Sequence, residues 1–230
     1  MQDKKDESFN MVLASTVHDM KNSLGMLGES LKVIFQQIDP DIMNKATSNS
    51  YGVVQYEVSR VNNSLMQLLA LYKLENNQLP FNPNYYNLFD FLDEQRLIHS
   101  PLLKAKNIEC KLKVDEDLEG FFDDGLLATV LENIIGNAIR YTQSTICISC
   151  SQSQPLQIKI ADDGPGYPEQ MIELAGNYIQ GINQSSGSTG LGLFFAQKIA
   201  IMHKHKDKVG KIQLSNGGQL GGGIFCIQLP

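Results

Sequence analysis

A helical hairpin followed by an α/β two-layer sandwich is the fold class that this 230-residue sequence predicts, on three observations. Leu13, Val17, Met20, Leu24, Leu27, Leu31, Ile34 and Ile38 recur at alternating spacings of three and four, the pattern of a helix that buries a narrow stripe in a bundle. A second stripe runs through Val54, Val58, Val61, Leu65, Leu68 and Tyr72. Past a proline-marked break, short strands alternate with helices, as when helices cover one face of a mixed sheet.

The elements follow in order. Pro40 in Asp39-Pro40-Asp41 disfavours helix at the residue before it, so a turn is expected there and residues from about 3 to 77 form two long amphipathic arms. Two arms cannot enclose a four-sided core. Pairing with a second copy buries both stripes, which makes a homodimeric four-helix bundle the economical reading. Pro80 and Pro83, with Asn82 and Asn84 around them, punctuate the chain, dividing a hairpin of residues 1–78 from a second domain of residues 79–230. In that domain Asn107 to Val114, Thr145 to Cys150, Leu156 to Ala161, Lys211 to Leu214 and Ile224 to Leu229 have strand character. Leu88 to Ser100, Gly125 to Thr142 and Leu191 to Met202 have helical patterns.

Composition narrows the function. A net charge of −6 and a pI near 5.2 argue against a general nucleic-acid binder, which needs concentrated Lys and Arg. The basic cluster from Lys198 to Lys211, with His203 and His205, reads as a solvated helix end and loop. The start lacks the apolar core of a signal peptide and no apolar run is long enough to span a bilayer, so a cytoplasmic chain without a membrane segment is expected. Four cysteines are too few for a disulfide framework. Cys147 and Cys150 form a C-x-x-C, but on a strand that odd spacing sends the two side chains to opposite faces.

The histidine at position 18 lies beside the first stripe rather than in it, so a rigid helix holds it while leaving it accessible. Asp19 is adjacent, and Asn22 stands one turn further along the same face. This His-Asp-x-x-Asn stretch resembles the phospho-acceptor box of sensor histidine kinases. The second half of the chain carries the same resemblance in the family's order. Glu132-Asn133-Ile134-Ile135-Gly136-Asn137-Ala138-Ile139-Arg140-Tyr141-Thr142 is similar to the asparagine box, and Asp162-Asp163-Gly164-Pro165-Gly166 to the first glycine box. Gly187-Ser188-Thr189-Gly190-Leu191-Gly192-Leu193 is similar to the second glycine box, and the run from Gly221 to Pro230 to the closing strand. The resemblance implies the GHKL (Bergerat) ATP-binding fold shared with gyrase-type topoisomerases and chaperone ATPases. It also implies ATP and Mg²⁺ as reactants, a response regulator receiver domain as partner, and a homodimer. Many members carry sensing domains upstream, so the chain is either an excised core or one that takes its signal from a separate sensory partner.

The resemblance also assigns roles. His18 would accept the phosphoryl group and Asp19 would orient its ring, since transfer onto nitrogen needs one bare imidazole nitrogen and a partner that keeps the other proton. Asn22 would position the water that hydrolyses the regulator's aspartyl phosphate. Ser23 replaces a proline common in the family, which leaves the helix straighter there. Asn137 matches the metal-binding asparagine, and Asn133 stands where hydrolysing relatives of the fold carry a glutamate that activates water. An amide cannot be a general base, which favours phosphotransfer over free hydrolysis. Arg140 would contact phosphate, Tyr141 either the nucleotide or the core. Asp162 would receive the adenine amino group, with Gly164 and Gly166 giving the backbone close approach. Gly187, Gly190, Leu191 and Gly192 would hold the phosphates at a helix start. Between Tyr167 and Ser186 a lid is expected. Two other classes stay open at this point: a dimeric scaffold or phosphatase with a weakened ATP site, and a serine kinase or ATPase on the same nucleotide fold.

Overall fold

The structure, a computed structural model, describes residues 2–37, 45–151, 155–173 and 190–230. It divides into two units, Met1–Leu79 and Pro80–Pro230. The turn expected at Asp39-Pro40-Asp41, most of the expected lid and Gly187 lie outside the described residues.

The first unit is a hairpin of α1 (Gln2–Gln36) and α2 (Lys45–Glu75). Within one chain only part of each expected stripe is covered. Val17 is buried and Leu24 and Leu31 are half-buried, whereas Met20, Leu27 and Ile34 are 46%, 50% and 59% exposed. These three stand seven residues apart, so they line one strip of α1. Of the stripe expected on α2, Val54, Val61 and Leu68 are exposed, again at intervals of seven, while the neighbouring Leu71 is buried. Leu13 and Ile38 lie outside the described side chains. Ser23 does not leave α1 unmarked: its hydroxyl donates to the Asp19 carbonyl at 2.9 Å, a back-bond of the kind that bends a helix slightly.

The second unit begins with β1 (Asn84–Asn87), α3 (Leu88–Ile98), α4 (Ser100–Ala105), β2 (Glu109–Lys113), β3 (Glu119–Phe122) and α5 (Asp124–Tyr141). It continues through β4 (Thr145–Ser151), β5 (Leu156–Asp162), α6 (Glu169–Glu173) and α7 (Leu191–Met202). It closes with β6 (Lys204–His205), β7 (Lys208–Val209), β8 (Lys211–Asn216) and β9 (Gly223–Leu229). The five-stranded sheet runs β2-β4-β5-β9-β8, parallel only between β2 and β4. Alternation assigns its faces. Ile146, Ile148, Ile158, Ile160, Phe225 and Ile227 point to the helical layer, and β4 and β5 pair in register so that Ile148 meets Ile160. Opposite them α5 buries Leu127, Val130, Leu131, Ile134, Ile135, Ala138 and Ile139, each large side chain contributing about 1.5–3 kcal/mol. Cys147 and Cys150 fall on opposite faces, and burial pushes the Cys150 thiol up to about 11.

Three features depart from the sequence reading. A two-stranded ribbon pairs β1 with β3, and α4 follows α3. The basic stretch is not a loop, because Lys204–His205 pairs with Lys208–Val209 in a hairpin. His203 is not solvated but buried: its Nδ1 bonds the Ile199 carbonyl at 2.9 Å and its Nε2 accepts from the Asp123 amide at 3.1 Å. Burial pushes its pKa down, and Nε2 as acceptor leaves the proton on Nδ1.

Candidate active site

Each unit carries one part of the candidate chemistry. On α1, His18 is exposed, with side-chain exposure of 68%, as its place beside the stripe requires. The expected bond to Asp19 is not made: Asp19 Oδ1 lies 3.6 Å from His18 Nδ1, too far for a hydrogen bond. The Asn22 amide nitrogen is closer, 3.2 Å from the same ring nitrogen. The three residues thus meet at one atom, His18 Nδ1.

The second part is a cluster of residues on α5, the start of α7 and the end of β5. Asp123 caps α5 by accepting from the Leu126 amide at 2.9 Å, and its other oxygen accepts from the Asn82 amide at 2.7 Å. The helix so fixed carries Asn133 and Asn137 on one face, where Asn137 Nδ2 donates to Asn133 Oδ1 at 2.9 Å. That bond leaves Asn137 Oδ1 as the ligand atom of the pair, the hard neutral oxygen that suits Mg²⁺. Gly192 is required by contact, since a Cβ there would overlap the Asn133 amide. Gly190 adopts φ 65°, ψ −10° and starts α7 without a side-chain cap, so the first amides of the helix stay available to an anion.

Asp162 ends β5 with 8% exposure. Its Oδ1 accepts from the Gly164 amide at 2.8 Å and the Gly223 amide at 3.2 Å, which orients Oδ2 as the acceptor for a ligand N–H. Side chains are excluded around it: a Cβ on Gly164 would stand 2.5 Å from the Tyr141 carbonyl, and one on Gly222 would overlap the Asp162 carbonyl. Gly166 has φ +81°, and the next residue, Tyr167, exchanges two hydrogen bonds with the Asn216 amide, at 2.7 and 2.8 Å. Arg140 is exposed, its guanidinium 5.3 Å from the centroid of Tyr141, and Tyr141 is itself 42% exposed, so the core-packing alternative for Tyr141 falls.

Sequence reasoning missed the neighbour of Asp162. The Asp163 carboxylate gathers donors from the whole α5–β4 turn: the hydroxyls of Thr142 and Ser144 and the amides of Gln143, Ser144 and Thr145. It ties the end of the asparagine-bearing helix to the strand that presents Asp162. Its place in the glycine-box stretch drew attention to Asp162 and the glycines, while Asn216 had no local signal at all.

Residues 122–230 match the family model described as histidine kinase-, DNA gyrase B- and HSP90-like ATPase. Residues 122–230 therefore carry an ATPase domain of this family, and the chain around them is similar to the catalytic cores of sensor histidine kinases. It is 28% identical over 204 residues to the adaptive-response sensory kinase SasA of Crocosphaera subtropica, covering 84% of this chain and 53% of that protein. It is 27% identical to the sensor histidine kinase YvrG of Bacillus subtilis, over 83% of this chain and 34% of YvrG. The chain thus spans about half or less of the length of these curated relatives. Among solved structures, the nucleotide-free catalytic domain of the histidine kinase ThkA matches with a TM-score of 0.55 and 25% identity, over 65% of this chain and 97% of ThkA's. Full-length ShkA in complex with AMPPNP matches with a TM-score of 0.66 over 96% of this chain and 45% of ShkA's, at 19% identity, a likeness of fold. The α/β sandwich is therefore of the GHKL type, the fold of the matched ATPase family. No helix among the described residues is long and apolar enough to cross a membrane.

Proposed function

We propose that the chain is an ATP:protein-L-histidine phosphotransferase that phosphorylates His18 and passes the group to an aspartate in the receiver domain of a response regulator. The observation that carries the reading is the pairing of an exposed histidine, flanked by Asp19 and Asn22, with a glycine-walled Asp162 and an Asn133–Asn137 pair in one chain. Nucleotide binding follows from the pocket's own groups. Asp162 Oδ2 takes the adenine amino group, and the α7 amides from Gly190 to Gly192 take the phosphates. Arg140 adds positive charge near the phosphate end.

Asn137 would hold Mg²⁺, which neutralises phosphate charge when bound. In the transfer, the His18 Nε2 lone pair attacks the γ-phosphorus, the P–N bond forms, and the bond to the bridging oxygen breaks with ADP leaving. The ring proton then belongs on Nδ1, where Asp19 can accept it once the 3.6 Å gap closes. Asn133 provides no general base for water, which protects the γ-phosphate from idle hydrolysis. Asn22, beside the acceptor, orients the water that dephosphorylates the regulator. A second copy of the chain covers the strips Met20-Leu27-Ile34 and Val54-Val61-Leu68, giving a homodimeric four-helix bundle. We place the protein in the cytoplasm, with residues 1–78 as the dimerisation and phosphotransfer domain and 79–230 as the catalytic domain.

The test is incubation with γ-labelled ATP and Mg²⁺. The intact chain should take up label that acid releases and base does not, and His18→Ala should take up none. Base-labile, acid-stable label would instead indicate a hydroxyl acceptor.

A further inference from the structure

Two groups compete for one atom of His18. Asn22 Nδ2 stands 3.2 Å from Nδ1, and Asp19 Oδ1 stands 3.6 Å from the same nitrogen. Their demands are opposite. The amide nitrogen can only donate, so it needs a lone pair on Nδ1, which leaves the proton of the neutral ring on Nε2. The carboxylate can only accept, so it needs the proton on Nδ1, which leaves Nε2 bare. Only the second tautomer carries a lone pair on Nε2, the nitrogen that faces away from both neighbours.

We infer that Asn22 is a positioning residue that holds His18 in the tautomer unable to attack through Nε2, and that Asp19 must displace it from Nδ1 before transfer. The inference rests on His18 being the phosphoryl acceptor. Geometry supports the competition. His18, Asp19 and Asn22 all lie on one continuous helix, so both rivals stay within reach of the ring, and all three are exposed, so packing locks neither side chain in place. An exposed hydrogen bond of this kind shifts a population by roughly two- to tenfold, enough to tune a reaction without abolishing it. Asn22 thus restrains the forward reaction in the resting chain, in addition to the role proposed for it toward the regulator. The proton moves between the two ring nitrogens through solvent, and no other bond changes.

The experiment separates the tautomer from the kinase reaction. The intact chain, labelled with ¹⁵N in histidine, is observed without nucleotide by long-range proton–nitrogen correlation at a pH where the ring is neutral. Asn22→Ala should shift the His18 tautomer ratio toward Nδ1–H by about two- to tenfold, and Asp19→Ala should shift it toward Nε2–H. In parallel, the initial rate of labelling from γ-labelled ATP should rise with Asn22→Ala and fall with Asp19→Ala. An unmoved ratio in Asn22→Ala, or a shift toward Nε2–H, overturns the inference whatever the labelling shows. A shift toward Nδ1–H with a labelling rate below that of the intact chain also overturns it, because the tautomer then does not limit transfer. The expected tautomer shift with no labelling in any variant, the intact chain included, supports the competition at Nδ1 while refuting the kinase reading on which its purpose depends. Both substitutions lie on an exposed helix face, and unchanged dispersion elsewhere in the spectrum verifies the fold.

Discussion

Replacing Asp163 by asparagine tests how the nucleotide pocket is held together. Burial alone would raise this carboxyl's pKa, but the hydroxyls of Ser144 and Thr142 and the amides of Ser144 and Thr145 outweigh it and hold the group well below the ordinary carboxylate range. Asparagine keeps the shape but puts an NH₂ where one oxygen accepts. Whichever oxygen is replaced faces three donors, the Thr142 hydroxyl with the Gln143 and Ser144 amides, or the Ser144 amide and hydroxyl with the Thr145 amide. Bonds to a charged acceptor are worth about 1.5–3 kcal/mol each, and discounting for partial solvent access and for hydroxyls that can turn leaves a loss of about 2 kcal/mol. With a urea m-value of about 2 kcal/mol/M, the midpoint should fall by about 1 M, read from the amide signals of β4 and β5. The pH dependence has a definite sign. A depressed folded pKa contributes stability that is complete above the unfolded value of about 3.9 and is lost as pH falls toward the folded one. The gap between the intact chain and Asp163→Asn should therefore be full at neutral pH and narrow below about pH 4. A loss under about 0.5 kcal/mol, or a gap that stays constant into acid, would refute the reasoning.

Asn137→Asp removes the donor that reaches Asn133 Oδ1 and puts a charged carboxylate where a neutral amide oxygen would hold the metal; labelling from ATP should drop at least about tenfold, with an altered Mg²⁺ dependence in a titration of the metal. Leu27→Asp should leave each chain folded, because the position is half exposed in a single copy, yet sedimentation should find monomers; a variant that still sediments as a dimer would show that the strip containing Leu27 is not the interface.

What was legible in the sequence was what burial dictates. α5 and the long strands announce themselves because one face of each must be apolar, and α7 was found from Leu191 to Met202 with both ends correct. The ribbon of β1 with β3 escaped because strands of four residues leave too short an alternation to register, and the β6–β7 hairpin because lysines on both its strands hide any period. The stripe on α1 was right as a list of apolar residues, but periodicity cannot tell which members one chain covers and which await a second. The shared face of Asn133 and Asn137 was legible because a spacing of four on a helix fixes it, whereas Asp162 was picked out by the resemblance. Asn216 was not, because its partner Tyr167 is 49 residues away and only the sheet brings them together. At His18 the bond expected from Asp19 is not made and Asn22 stands nearer to Nδ1, since neighbours in the chain are not the nearest atoms on a helix.

His203 also decides something far from where it sits. It joins the end of α7 to Asp123, the cap of α5, and the two helices meet again at the candidate site, where Gly192 packs against the Asn133 amide. Measured from the histidine's bond, that meeting of Gly192 with Asn133 lies about 15 Å along each helix. The pair behaves like calipers closed on a rivet. A tilt of about 3° at the rivet displaces Gly192 against Asn133 by nearly 1 Å, more than their close contact allows without rearrangement. The basic hairpin begins at the very next residue, Lys204. Anything that pulls on that hairpin therefore applies its force at the rivet, with the full length of two helices as its arm.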